Sequence, residues 1–140
     1  NAEALGYLAQ AYIATGHIEE AKQILATVAP TAQENAAVKT AKTSLELQEA
    51  AMGVGDIAEV QKTAIENPED LEAQFNHALA LIGQNQLGMA GDILLNIMTL
   101  EAGWNDDAAR KQLVKLFEVT GHTDPFTLKY RRKLSSLLFS

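Results

Sequence analysis

Apolar side chains recur at three- and four-residue steps through most of this chain. In EALGYLAQAYIATG, Leu5, Leu8, Ala9, Tyr12 and Ile13 share one stripe, the pattern of a helix that buries a single face. Gly16 interrupts it. HIEEAKQILATVAP then resumes with Ile18, Ala21, Ile24, Leu25 and Val28 on one face, and Pro30 ends the run. The pattern predicts two antiparallel helices around a glycine turn.

The same arrangement returns further along. A shift of 69 residues lays Ala9, Tyr12, Ile18, Ala21, Leu25 and Val28 on Ala78, Leu81, Leu87, Ala90, Leu94 and Ile97, with small and large positions in the same order. A shift of 39 lays Gly16, Ile18 and Ala21 on Gly55, Ile57 and Val60. Three hairpins are therefore expected, at about residues 1–30, 34–67 and 68–100. Beyond them, Asn105, Asp106 and Asp107 suit a helix N-terminus, Ala109, Leu113, Leu116 and Phe117 share a face, and Gly121 is a stop. Asp124 as N-cap and Pro125 at the first helical position open one more helix, giving a final hairpin at 105–140.

Leu8, Ala9, Tyr12, Gly16, Ile18, Ala21 and Leu25 resemble the tetratricopeptide repeat pattern. Leu5 stands where that family often has tryptophan, the middle unit is degenerate, and Asn85 replaces the turn glycine of the third. The resemblance implies an all-α fold, a right-handed α-α superhelix of tetratricopeptide-like helical hairpins closed by a C-terminal capping hairpin. In such an array the first helix of each hairpin lines a concave protein-binding side. Gln10, Ile13, Phe75, Leu79 and Ile82 are the expected lining residues.

Composition narrows the chemistry. The chain has 140 residues, 47% of them hydrophobic and 21% charged, which is the balance of a folded protein with room for one core or a short array. With no cysteine, thiol catalysis, disulfides and thiolate metal sites are excluded for these residues. No run approaches the ~20 apolar residues that cross a bilayer, and NAEALGYLAQ has no signal-peptide pattern, so a soluble protein without a targeting segment is expected. The first residue is Asn1 rather than methionine, which fits a piece of a longer protein. Net charge is −7, and residues 1–100 hold four basic against thirteen acidic side chains. A body this acidic repels nucleic acid and anionic membranes, and neither is an expected partner.

No catalytic constellation emerges, and no catalytic residue, metal ligand or cofactor is expected. His17 and His122 follow turn glycines and read as surface or capping residues, and His77 reads as a packing residue. Glu19-Glu20 and Glu69-Asp70 suit first helical turns, where carboxylates offset the positive end of the helix dipole. Met52, Met89 and Met98 fall at core spacing. Trp104, the sole tryptophan, reads as a plug between the third hairpin and the cap, against the alternative of an exposed anchor for a partner.

Residues 121–140 combine Lys129, Arg131, Arg132 and Lys133 with a stripe of Phe126, Tyr130, Leu134, Leu137 and Leu138. Packing on Leu113, Leu116 and Phe117 accounts for the first half of that stripe. Leu137, Leu138 and Phe139, beside Arg131 and Arg132, instead match a helix that docks into a partner's groove. The stretch LVKLFEVTGHTDPFTLKYRRKLSSLLF is similar to the C-terminal end of the YbbN-type co-chaperone thioredoxins, or chaperedoxins. The carrying elements are Leu116-Phe117-Glu118, Gly121, Asp124-Pro125, Tyr130-Arg131-Arg132-Lys133-Leu134 and Leu138-Phe139. This resemblance implies a bacterial cytoplasmic co-chaperone that binds unfolded clients and a chaperonin, with an upstream thioredoxin-like domain that these residues do not include. The alternative is a structural module, for self-association as a homodimer or for positioning another domain.

Overall fold

A computed structural model describes residues 1–139. Their regular structure is entirely helical: α1 (Ala2–Ala14), α2 (Ile18–Ala26), α3 (Ala36–Gly53), α4 (Ile57–Glu66), α5 (Leu71–Gly83), α6 (Leu87–Leu100), α7 (Trp104–Thr120) and α8 (Pro125–Leu138), with a short 3-10 turn at Pro30–Ala32. The fold is an all-α set of tetratricopeptide-like hairpins. The chain divides into two compact units, Asn1–Glu49 and a second beginning at Ala50, and the division falls inside α3. Ser140, included in the expected final hairpin, lies outside the described residues.

In the first unit, Ala9, Ile13, Ala21, Leu25, Val28, Val38 and Ala41 form one buried cluster. Alanines at 9, 21 and 41 set short helix separations, and the larger side chains fill the space left beside them. The closest approach is at Gly6, where an added Cβ would come within 2.5 Å of the Ala37 carbonyl carbon and 2.6 Å of the Val38 nitrogen. Only glycine lets the two helix backbones meet there. Gln10 secures the contact by donating from Nε2 to the Ala37 carbonyl at 3.0 Å.

Turn chemistry repeats with one substitution. After α1, Gly16 is left-handed at φ 83°, and the His17 N–H reaches back to the Tyr12 carbonyl at 2.8 Å. After α5, Asn85 takes the same conformation at φ 61°, and the Gln86 N–H donates to the Leu81 carbonyl at 2.8 Å. Both are helix C-caps in which a left-handed residue satisfies orphan carbonyls, and asparagine is the side chain that tolerates that conformation best after glycine.

In the second unit, Leu94, Ile97, Leu113 and Leu116 are fully buried. Asp56, Asp70 and Asp124 cap α4, α5 and α8, each accepting a bond from a first-turn N–H, and Pro125 occupies the first turn of α8. Helix α8 packs on α6 as well as on α7, and the partner of Tyr130 is α6. Its ring lies over Gly91, where a Cβ would come within 2.7 Å of the ring, and its hydroxyl donates to the Gly88 carbonyl at 2.9 Å and bonds Asp92 Oδ1 at 2.8 Å. The two glycines, three apart on α6, form the cradle. Phe126 stacks on Tyr130 with ring centroids 4.6 Å apart and meets Phe117 at 6.1 Å.

Two expectations are corrected here. Met98 is buried, but Met52 and Met89 are exposed, because helical spacing does not say which neighbour covers a face. Asn105, Asp106 and Asp107 do not open a right-handed helix: all three are left-handed, with φ of 48°, 56° and 62°, and Trp104 separates them from Gly103, itself at φ 79°. Asn and Asp are both N-cap residues and the non-glycine residues most tolerant of positive φ, so the same side chains serve either geometry.

Candidate functional site

Two surfaces of the second unit present side chains to solvent in an arrangement suited to binding. The first is the last described turn of α8. Leu134 and Tyr130 are buried, Leu137 is half-buried, and Leu138 and Phe139 are 51% and 85% exposed. Arg131 and Arg132 are exposed on the same helix. Arg131 lies 5.5 Å from the Phe117 ring centroid and 3.3 Å from His122 Nδ1, so its guanidinium is positioned by α7 and the α7–α8 turn. Lys133 stands 5.2 Å from the Tyr130 ring centroid and 3.9 Å from Asp92 Oδ1. Burial and the bond to Asp92 push the Tyr130 hydroxyl pKa up to about 12, so it stays a protonated donor at any physiological pH. The apolar tip therefore projects from a helix whose other face is held.

The second surface is where α5 meets the start of α7. Phe75 and Trp104 are both half-buried, with ring centroids 5.5 Å apart and tilted by 57°. They floor an open groove of ≈ 480 Å³ whose other lining residues are Glu72, Asn76 and Asn105. Trp104 is half-buried, lining a tight crevice with Ile97, Met98 and Ala109 on one side and the open groove on the other.

The expected lining residues separate by burial. Gln10 is half-buried and spends its amide on Ala37. Ile13 is buried in the core of the first unit, and Leu79 and Ile82 are buried in the second, so these three support packing rather than a partner contact. Of the five, Phe75 offers an aromatic surface to a ligand. Sequence reasoning missed its pairing with Trp104, although both residues had been singled out separately. The signal was the bulk at 75, where the repeat 69 residues earlier has Gly6.

Burial alone lowers the His77 pKa, as a packing histidine requires. His17 contacts Thr15 Oγ1 at 2.8 Å and the edge of the Tyr12 ring, and makes no side-chain cap bond. Among the described residues no group of three or more histidines and carboxylates could hold a metal ion, and no helix is long and apolar enough to cross a membrane.

Two family models, each described as tetratricopeptide repeat, match the chain over residues 1–45 and 50–139. The chain is also similar to an uncharacterized protein of Haemophilus influenzae, 26% identical over 132 residues. That alignment takes in 94% of this chain and 59% of the relative, so the chain spans about 59% of that protein's length.

Proposed function

Because the chain belongs to the tetratricopeptide repeat family, whose members are typically non-catalytic protein-interaction modules, we propose that it is the interaction module of a bacterial cytoplasmic co-chaperone, binding unfolded clients and a chaperonin. The observation that carries this reading is the exposed Leu138–Phe139 tip on a helix otherwise held by Tyr130, Leu134 and Phe126. Large apolar side chains presented together on a fixed helix gain from burial against another protein and contribute little to the fold that carries them. The neighbouring Arg131 and Arg132 give such a contact its charge preference. The similarity of residues 116–139 to the chaperedoxin C-terminus supports the choice of partner, and no catalytic role is assigned to these residues.

The test is co-elution with a bacterial chaperonin. Replacing Leu138→Asp together with Phe139→Asp is expected to leave helicity and thermal unfolding unchanged within about 0.5 kcal/mol, as for exposed positions generally, while abolishing co-elution. Undiminished co-elution by the folded variant refutes the tail as the chaperonin contact.

A further inference from the structure

We propose that the Phe75–Trp104 groove is a second, separate docking site, and that it takes an extended segment of another protein carrying an apolar side chain flanked by lysine or arginine. This rests on the reading that the chain binds other proteins, but not on the tail contact.

The groove over Phe75 and Trp104 is bordered by Glu72, and Asn76 also borders a neighbouring smaller groove of ≈ 160 Å³ lined by Glu59, Val60, Thr63 and Ala73. The two together present aromatic and aliphatic floor, amides at Asn76 and Asn105, carboxylates at Glu59 and Glu72, and no lysine or arginine. The stretch that carries these residues has the same sign: residues 50–107 contain ten acidic side chains and one basic one, Lys62, and the nearby Arg110 and Lys111 are taken up by Asp107 and Asp106.

The acids are not equally available. Asp106 and Asp107, on the left-handed turn, already pair with Lys111 at 3.0 Å and Arg110 at 3.2 Å. Among the described residues no cation pairs with Glu59 or Glu72. A cationic side chain brought to the groove therefore meets two carboxylates with nothing to displace, and an anionic one meets only repulsion. Trp104, between Gly103 and the left-handed residues 105–107, stands with its ring centroid 5.5 Å from that of Phe75, giving a wall on which an apolar side chain or the flat of a guanidinium can lie.

Trp104 is the only tryptophan, so its emission reports on the groove directly. The probe is a tryptophan-free peptide of alternating leucine and arginine, compared with a leucine–glutamate peptide and a serine–arginine peptide. The expected result is a saturable change in Trp104 emission with the leucine–arginine peptide, weakened by salt because the pairs are exposed. The same peptide, followed independently by its own anisotropy, should bind roughly 5- to 10-fold more weakly to the Glu59→Gln, Glu72→Gln variant. Phe75→Ala should weaken it further. Neither control peptide should match it.

Equal binding of the leucine–glutamate peptide, or indifference to both glutamate changes, overturns the assignment. The Leu138→Asp, Phe139→Asp variant should bind the leucine–arginine peptide as before, which separates this site from the chaperonin contact. If that variant shifts Trp104 emission with no peptide present, the occupant is the basic tail of a second copy, and the foreign-segment assignment falls.

Discussion

Gly6 and Phe75 stand 69 residues apart at the same position of the repeat, and they have opposite consequences. At Gly6 the absence of a side chain lets the backbone at Ala37–Val38 approach to within 2.6 Å of where a Cβ would be, and that face is closed. At Phe75 a bulky ring occupies the equivalent place, lies tilted by 57° against Trp104 and leaves an open groove. The second helices differ in the same way. Lys22 in α2 is half-exposed and paired with Glu49 at 2.9 Å, whereas the matching Gly91 in α6 is covered by the Tyr130 ring. One helical pattern is thus used to seal the inner face in one hairpin and to receive the capping helix in the other, and single side chains decide which.

The largest expected effect comes from closing the difference at the first position. Gly6→Ala puts a methyl group into backbone atoms that no rotamer change can clear, so α1 and α3 must separate. A loss of about 3 kcal/mol is expected, after allowing for the ~1 kcal/mol that alanine gains over glycine within a helix. Phe75→Ala at the matching position removes a half-exposed ring and should cost less, about 1–2 kcal/mol. Urea unfolding followed by circular dichroism, with hydrogen exchange to locate the loss, compares the two. A neutral Gly6→Ala would mean that the tight approach is not what joins α1 to α3.

An intermediate effect is expected at the second position. Gly91→Ala places a Cβ within 2.7–2.8 Å of two Tyr130 ring atoms. The ring is held by Phe126 and by two hydroxyl bonds, so it can yield only by stretching them. A net cost of about 1–2 kcal/mol follows. The Tyr130 pKa should then fall from about 12 towards 10 in an ultraviolet pH titration as the hydroxyl leaves Asp92 and meets water. Its raised value also has a stability consequence. The protonated hydroxyl favours the folded state, an effect fully present below pH 10 and lost as pH rises through 12. Lys22→Ala, the matching change in α2, should cost less than Gly91→Ala, because an exposed ion pair contributes little.

Much of this was legible in the chain. The three- and four-residue periodicity, the glycine turns and Asn85 in place of a turn glycine were enough for an all-helical hairpin fold, because each depends on local chemistry. What depended on a distant neighbour was not legible. Ile13, Leu79 and Ile82 lie on apolar stripes, and a stripe states that a face is covered without stating by what. Tyr130 read as packing on α7 because Leu113, Leu116 and Phe117 were the apolar residues at hand. The glycine pair at 88 and 91 was visible but carries meaning only once a ring is known to lie on it. The left-handed turn at 105–107 was hidden for a different reason. Its residues favour two local geometries, and the side-chain pattern alone does not select between them.

The smallest effect concerns His77, which stands where the first hairpin has Leu8. Leu8 is exposed, while His77 is half-buried, and burial lowers its pKa below the usual 6.5. The folded state therefore disfavours the imidazolium. The unfolded chain binds the proton more readily, so this residue's contribution is complete above pH 6.5 and is lost as pH falls through the lowered folded value. The expected outcome is a carbon-bound ring-proton titration of His77 with its midpoint below 6.5, and a small stability loss as pH falls from 7 through that midpoint, which His77→Leu removes. A midpoint at or above 6.5 would mean that water reaches the ring freely. The register position shared by Leu8 and His77 would then be a solvent position in both hairpins, and the contrast between them would narrow to the glycines at 6 and 91.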